Sequence, residues 1–189
     1  MGQKNEPCPR EARKPLRFSL PARFLGNRKG TTAIEFGVLA LPFALLVFAI
    51  LESCISFAAQ QLLANATDDI ARQVRTGQLT ATDLKTDLGG LLCAKLQIMV
   101  GSDCKNQIHF DLENYKTFAD AARVRTTITN GDLDTAGFGV DPGGPLTINM
   151  LRVYYEWPVM TDFMAGMMSN LNGNRTLLFA TATWQNEPF

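Results

Sequence analysis

Apolar positions along the chain follow three spacings in turn, and each predicts a different element. The first is a solid run, FGVLALPFALLVFAIL from Phe36 to Leu51, which ISFAA extends to Ala59 past Glu52, Ser53 and Cys54. At 1.5 Å per residue, positions 36–59 span roughly 36 Å, enough to cross a hydrocarbon core of about 30 Å with some tilt. The second is a four-residue spacing in QQLLANATDDIARQVRTG. Leu62, Ala66, Ile70 and Val74 share one stripe, with Gln61, Asp68, Asp69, Arg72 and Arg75 elsewhere. That predicts an amphipathic helix over 60–77, stopped at Gly77. Thr80-Ala81-Thr82-Asp83 then caps a second helix through about Met99, with Leu84, Leu88, Leu91/Leu92 and Leu96 on one side. Gly89-Gly90 weakens it and divides it into two short helices.

The third spacing is that of strands. Gln107–Glu113, Arg123–Thr129, Thr147–Trp157 and Thr176–Trp184 are rich in β-branched and aromatic residues. Turn material separates them: Asn130-Gly131-Asp132, then GFGVDPGGP. A short helix over about Val159–Asn170 joins the last two, and the Gly- and Pro-rich stretch Asp134–Pro145 reads as a mobile loop. The pattern predicts an α+β fold. One N-terminal transmembrane helix (31–59) continues as a long amphipathic helix (60–77), which packs on a small antiparallel sheet within an exported domain (78–189).

Charge gives this arrangement a direction. The chain is neutral overall, yet residues 1–30 hold eight basic side chains against two acids, while 31–189 hold ten against sixteen. A head of +6 and a body of −6 place the N-terminus in the cytoplasm and the domain outside. A buried helix of a soluble domain would have no need of the basic head. Two membrane readings stay open. In one, 36–59 is a secretory signal cleaved near Ser56-Phe57-Ala58, although the run exceeds the roughly 7–15 residues usual for such a core. In the other, processing precedes the apolar segment and the helix is retained.

In that second reading, Lys29-Gly30 followed by Thr31-Thr32-Ala33-Ile34-Glu35-Phe36 resembles the type IV prepilin pattern: a basic leader ending in Gly, then an apolar helix with Glu at its fifth position. The Glu35-Phe36 pair, with Pro42 inside the helix, resembles the TadE/TadG-like pseudopilins of the tight-adherence (Tad/Flp) pilus system. The ending FATATWQNEPF resembles that family's tail. The resemblance implies a type IV pilin-like fold and a leader, 1–30, cleaved between Gly30 and Thr31 by a prepilin peptidase. It also implies a non-enzymatic minor pilin or pseudopilin that primes, caps or anchors the fibre for adhesion. Its partners would be other pilin-like subunits, the Tad assembly machinery and inner-membrane lipid. The expected location is the bacterial inner membrane, single-pass, with the N-terminus cytoplasmic and the domain in the periplasm, either remaining there or incorporated in the pilus.

Elementary chemistry gives Glu35 a role there. Cleavage leaves the α-amino group of Thr31 at the membrane boundary, with an ordinary pKa near 8 and so mostly cationic. A neighbouring subunit's Glu35 carboxylate can pair with it, and because slippage would strand both charges, the pair sets register. The plainer alternative is that Glu35 reaches the headgroups near the helix N-terminus, where the dipole favours an anion. Gly30 lets the backbone extend into a peptidase without side-chain hindrance. Pro42 removes one backbone hydrogen bond and predicts a kink. Gly37, Ala40, Ala44 and Ala49 either allow close helix approach or are simply tolerated. Glu52 is expected to be solvated near the outer headgroups.

Cys93 and Cys104 enclose ten residues in the exported domain, while Cys8 lies in the leader and Cys54 in the membrane. In an oxidising periplasm a Cys93–Cys104 disulfide is expected, stabilising by about 3 kcal/mol on the chain-entropy estimate. Two cysteines cannot supply a tetrahedral zinc site, so neither metal nor cofactor is expected. The lone His109 sits beside Asp111 on one strand face, with no nucleophile to select, and reads as structural. GFGVDPGGP lacks the helix and Lys of a phosphate loop. The exported basic residues are scattered, which argues against nucleic acid. Met160, Met164, Met167 and Met168 have helical spacing and read as core, with a subunit interface as the other reading. The competing functional class is a secreted or membrane-anchored periplasmic binding protein or enzyme that uses 36–59 as signal or anchor.

Overall fold

The computed structural model describes residues 31–101 and 103–188; the basic segment 1–30, with Gly30 and Cys8, lies outside the described residues. The first helix, α1, runs Thr31–Arg75 with Pro42 inside it. The chain divides into two compact units between Leu45 and Leu46, so α1 contributes to both. Its portion in the first unit exposes Ile34, Phe36, Val38, Leu39, Leu41 and Phe43. By length and composition α1 suffices to cross a membrane.

Within the second unit, from Ala59 onward, α1 changes character. Ala59, Leu63, Ala66, Ile70 and Val74 are buried, a stripe at three- and four-residue spacing. The helix ends at Arg75, two residues short of the expected stop, and Gly77 takes the positive φ of 71° that a helix exit requires. Helix α2, Ala81–Leu96, begins at the expected capping box: Thr80 accepts from the Asp83 backbone while the Asp83 carboxylate accepts from that of Thr80. It ends three residues before Met99. The break expected at Gly89-Gly90 falls instead at Asp87, whose φ of −150° interrupts the helix. The Asp87 carboxylate accepts from Gly90 N at 3.1 Å, restarting the helix as a cap would. A Cβ on Gly90 would lie 2.1 Å from that carboxylate, so the glycine serves the break without being its site.

After the short α3, Cys104–Gln107, strand β1 runs Ile108–Tyr115 and a one-turn helix, α4, occupies Phe118–Ala121. The strand expected over Arg123–Thr129 is corrected here: only β2, Ile128–Thr129, pairs, with β3, Asp132–Leu133, in a two-stranded ribbon. Val124 N closes a turn onto Ala121 O, and β propensity without a partner strand does not make a strand. Asn130 and Gly131, both at positive φ, form the hairpin turn of that ribbon. Strand β4, Ile148–Pro158, and strand β5, Arg175–Gln185, flank helix α5, Asp162–Met168.

The main sheet is antiparallel in the order β1-β4-β5. Along β4, Leu151, Val153, Tyr155 and Trp157 face the core formed with α1 and α2, joined from β5 by Leu178, Ala180 and Trp184. The alternate residue Tyr154 faces the other way, into a smaller cluster with Leu133, Leu171 and Leu177. The Gly-rich loop read as mobile is tied to the outer edge of β1. Leu112 N donates to Gly139 O at 2.9 Å, and Asp141 N to Leu112 O at 2.7 Å. The antiparallel α+β architecture expected from the sequence is the one observed.

Candidate assembly and anchoring site

Thr31, Glu35 and Phe36 lie in the first two turns of α1, and Glu35 and Phe36 are exposed there among apolar neighbours. Gly30, the other half of the expected scissile bond, is outside the described residues. A helix that displays phenylalanine, leucine and valine outward has an apolar medium or an apolar partner in view, because water penalises each such side chain by about 1.5–3 kcal/mol relative to burial. An exposed carboxylate at the start of such a helix is the feature a cationic group on a partner can recognise.

The domain that follows the apolar run is fastened internally at three places. Cys93 and Cys104 form a disulfide with Cα atoms 5.9 Å apart, linking α2 to α3. Asp69 of α1 accepts hydrogen bonds from Lys95 of α2 and from Gln73. The Lys95 hydrogen bond and charge hold the Asp69 carboxyl below the usual carboxylate range. The tail forms the third fastening. Buried Trp184 donates its indole N–H to Asn186 at 2.8 Å, and Asn186 donates to the carbonyls of Gly143 and Gly144 at 3.0 Å each. Glu187 N then donates to Arg75 O at 3.1 Å, and its carboxylate pairs with the Arg75 guanidinium. The WQNE tail thus closes onto the end of α1.

His109 and Asp111 do not form a unit. Asp111, almost wholly buried, is held by the Arg152 guanidinium at 2.7 and 3.1 Å and by Gly139 N at 2.9 Å. His109 instead meets Glu156 at 3.2 Å, and Glu156 is paired with Arg175. Both acids are thereby occupied by structural cations. Beside them Tyr115 donates to Glu113 at 3.1 Å, and burial, reinforced by that carboxylate, pushes its phenol up to about 12.

Sequence reasoning missed the use of Glu52. Its carboxylate accepts from Met160 N at 2.5 Å, Thr161 N at 3.3 Å and Thr161 Oγ1 at 2.5 Å, across more than a hundred residues of chain. It therefore binds the residues leading into α5, where solvation was expected. Nearby, Ser53 reaches the Met168 sulfur at 3.9 Å, and Val159, Met164 and Ala165 cluster with Ala49 and Met168. The methionine group read as core divides: Met164 is buried and Met168 partly so, while Met160 and Met167 are about three-quarters exposed. An acid inside an otherwise apolar run was the one signal in the sequence for this contact.

Among known families, residues 30–72 match the model described as TadE-like protein. The matched segment begins at the expected cleavage glycine and covers most of α1. No curated protein and no solved structure matches the chain.

Proposed function

We propose that this chain is a non-enzymatic minor pseudopilin of Tad/Flp pilus assembly. Its leader 1–30 is removed by a prepilin peptidase between Gly30 and Thr31, and α1 then serves as membrane anchor and assembly helix, with the domain periplasmic. The observation that carries this reading is the coincidence of the TadE-like match, residues 30–72, with a helix apolar and exposed at one end and part of a domain core at the other. Such a helix suits a subunit that waits in the inner membrane and packs side by side with its like. In the packed bundle Glu35 pairs with the Thr31 α-amino group of a neighbour, setting register. The subunit primes, caps or anchors the fibre among other pilin-like subunits and the Tad machinery.

Two substitutions test processing and assembly apart. Gly30→Leu puts a branched side chain where the peptidase needs extended backbone, so the leader persists and the subunit stays about 3 kDa heavier, at 20.8 kDa per 189 residues. Glu35→Ala leaves the scissile backbone intact, so cleavage survives. It removes the carboxylate facing a neighbour's amino group, at several kcal/mol in a low-dielectric bundle, so incorporation fails. Identical gel mobility of wild type and Gly30→Leu in cells expressing a prepilin peptidase would refute the reading.

A further inference from the structure

We infer that α5 is a membrane-contacting helix: Met160, Phe163 and Met167 form an apolar stripe that enters the outer boundary of the bilayer beside α1. The inference rests on the proposed anchoring role of α1, and it assigns a second lipid contact to the exported domain itself.

Three observations within the second unit place this stripe. First, α5 is held against α1 at a defined level. Glu52 accepts from Met160 and Thr161, and Ala49, Ser53 and Met168 complete the contact. Second, α1 at that level is still apolar and outward-facing, with Leu46, Phe48, Ile50 and Leu51 each more than half exposed. A segment that lies in lipid there sets the depth of whatever is fastened beside it. Third, α5 has two faces. Met164 and Ala165 are buried toward α1, while Phe163 and Met167, one helical turn apart, are 57% and 74% exposed, and Met160 before them is 76% exposed.

The chemistry of the stripe selects its partner. From Pro158 to Asn174 there is no Lys or Arg, and Asp162 is the only charge. A surface built to meet anionic headgroups carries basic residues that the negative surface potential attracts. This one instead offers thioethers and a phenyl ring, which gain by apolar burial at the headgroup–acyl boundary. The occupant is therefore the neutral acyl boundary, and binding should be insensitive to salt.

The test uses the full chain with Cys8 and Cys54 replaced by Ser, reconstituted in phosphatidylcholine vesicles. A nitrobenzoxadiazole fluorophore is attached at one introduced cysteine: Phe163→Cys, Met167→Cys, Ile50→Cys as the anchor reference, or Thr135→Cys on an exposed loop. Labels at 163, 167 and 50 should emit blue-shifted and lose at least half their intensity to shallow doxyl-phosphatidylcholine, unchanged by salt. The label at 135 should behave as in water. Quenching at 50 with water-like emission at 163 and 167 would overturn the inference and leave the anchor standing. A water-like label at 50 would overturn both. Blue-shifted labels at 163 and 167 that resist doxyl lipid and vary with protein-to-lipid ratio would mean a second copy covers the stripe, and would likewise overturn the inference.

Discussion

The two ends of α1 share a backbone conformation and face opposite requirements. Before Phe57 the helix presents apolar side chains outward in nearly every direction, while from Ala59 to Arg75 it hides one stripe and leaves Asp69, Gln73 and Arg75 in contact with water. Apolar density and apolar periodicity thus report on different surroundings: the first on a medium that accepts any side chain, the second on one packed neighbour. A single helix can therefore carry an outward-facing apolar run at one end and a core element at the other.

The sharpest way to break that contrast is to truncate one residue in each part. Leu63→Ala empties a site that is 1% exposed and should cost the domain about 2–5 kcal/mol by chemical denaturation in detergent. Phe43→Ala removes a larger side chain from an exposed position and should change the same unfolding free energy by less than about 0.5 kcal/mol. Comparable losses from both would dissolve the distinction. Next in size is the disulfide. Reducing Cys93–Cys104, which clips α2 to α3 in the domain, should lower its stability by about 3 kcal/mol. Membrane extraction of the chain should be unaffected, because the bridge touches no part of the exposed run.

The smallest effect expected is electrostatic. Asp69 has its folded pKa lowered chiefly by Lys95, so the pair contributes stability above the ordinary carboxylate value near 3.9 and loses it as pH falls from there through the lower folded value. Both side chains are about a third or more exposed, so the contribution is about 0.5 kcal/mol or less after solvent screening. Lys95→Met should flatten the acid limb of the stability profile slightly and leave the neutral plateau within that margin. A steepened acid limb in the variant would contradict the assignment.

These contrasts also mark what was legible in the residues. Ala66, Ile70 and Val74 could be read as one face because helix periodicity is local. The Thr80–Asp83 box could be read because capping involves residues three apart. Strands β4 and β5 were readable from long β-branched and aromatic runs, and the disulfide from the two cysteines that follow the apolar run. What failed depended on partners far along the chain. Arg123–Thr129 has strand composition but finds only a two-residue pairing, and Thr126 instead meets the Tyr154 hydroxyl at 2.8 Å. The break in α2 belongs to Asp87, whose carboxylate competes for the backbone, and glycine frequency did not reveal it. Of the candidate site, Glu35 and Phe36 lie exposed near the start of α1, whereas the bond between Thr161 and Glu52 joins residues no local pattern connects.

The central claim is that α1 is retained with its exposed apolar end intact and begins at Thr31 in the mature protein. Intact-mass and N-terminal peptide analysis of membrane-purified protein measures this directly. The account predicts a chain that starts at Thr31. A chain starting at Met1, or near residue 59 after removal of the whole apolar run, would contradict it.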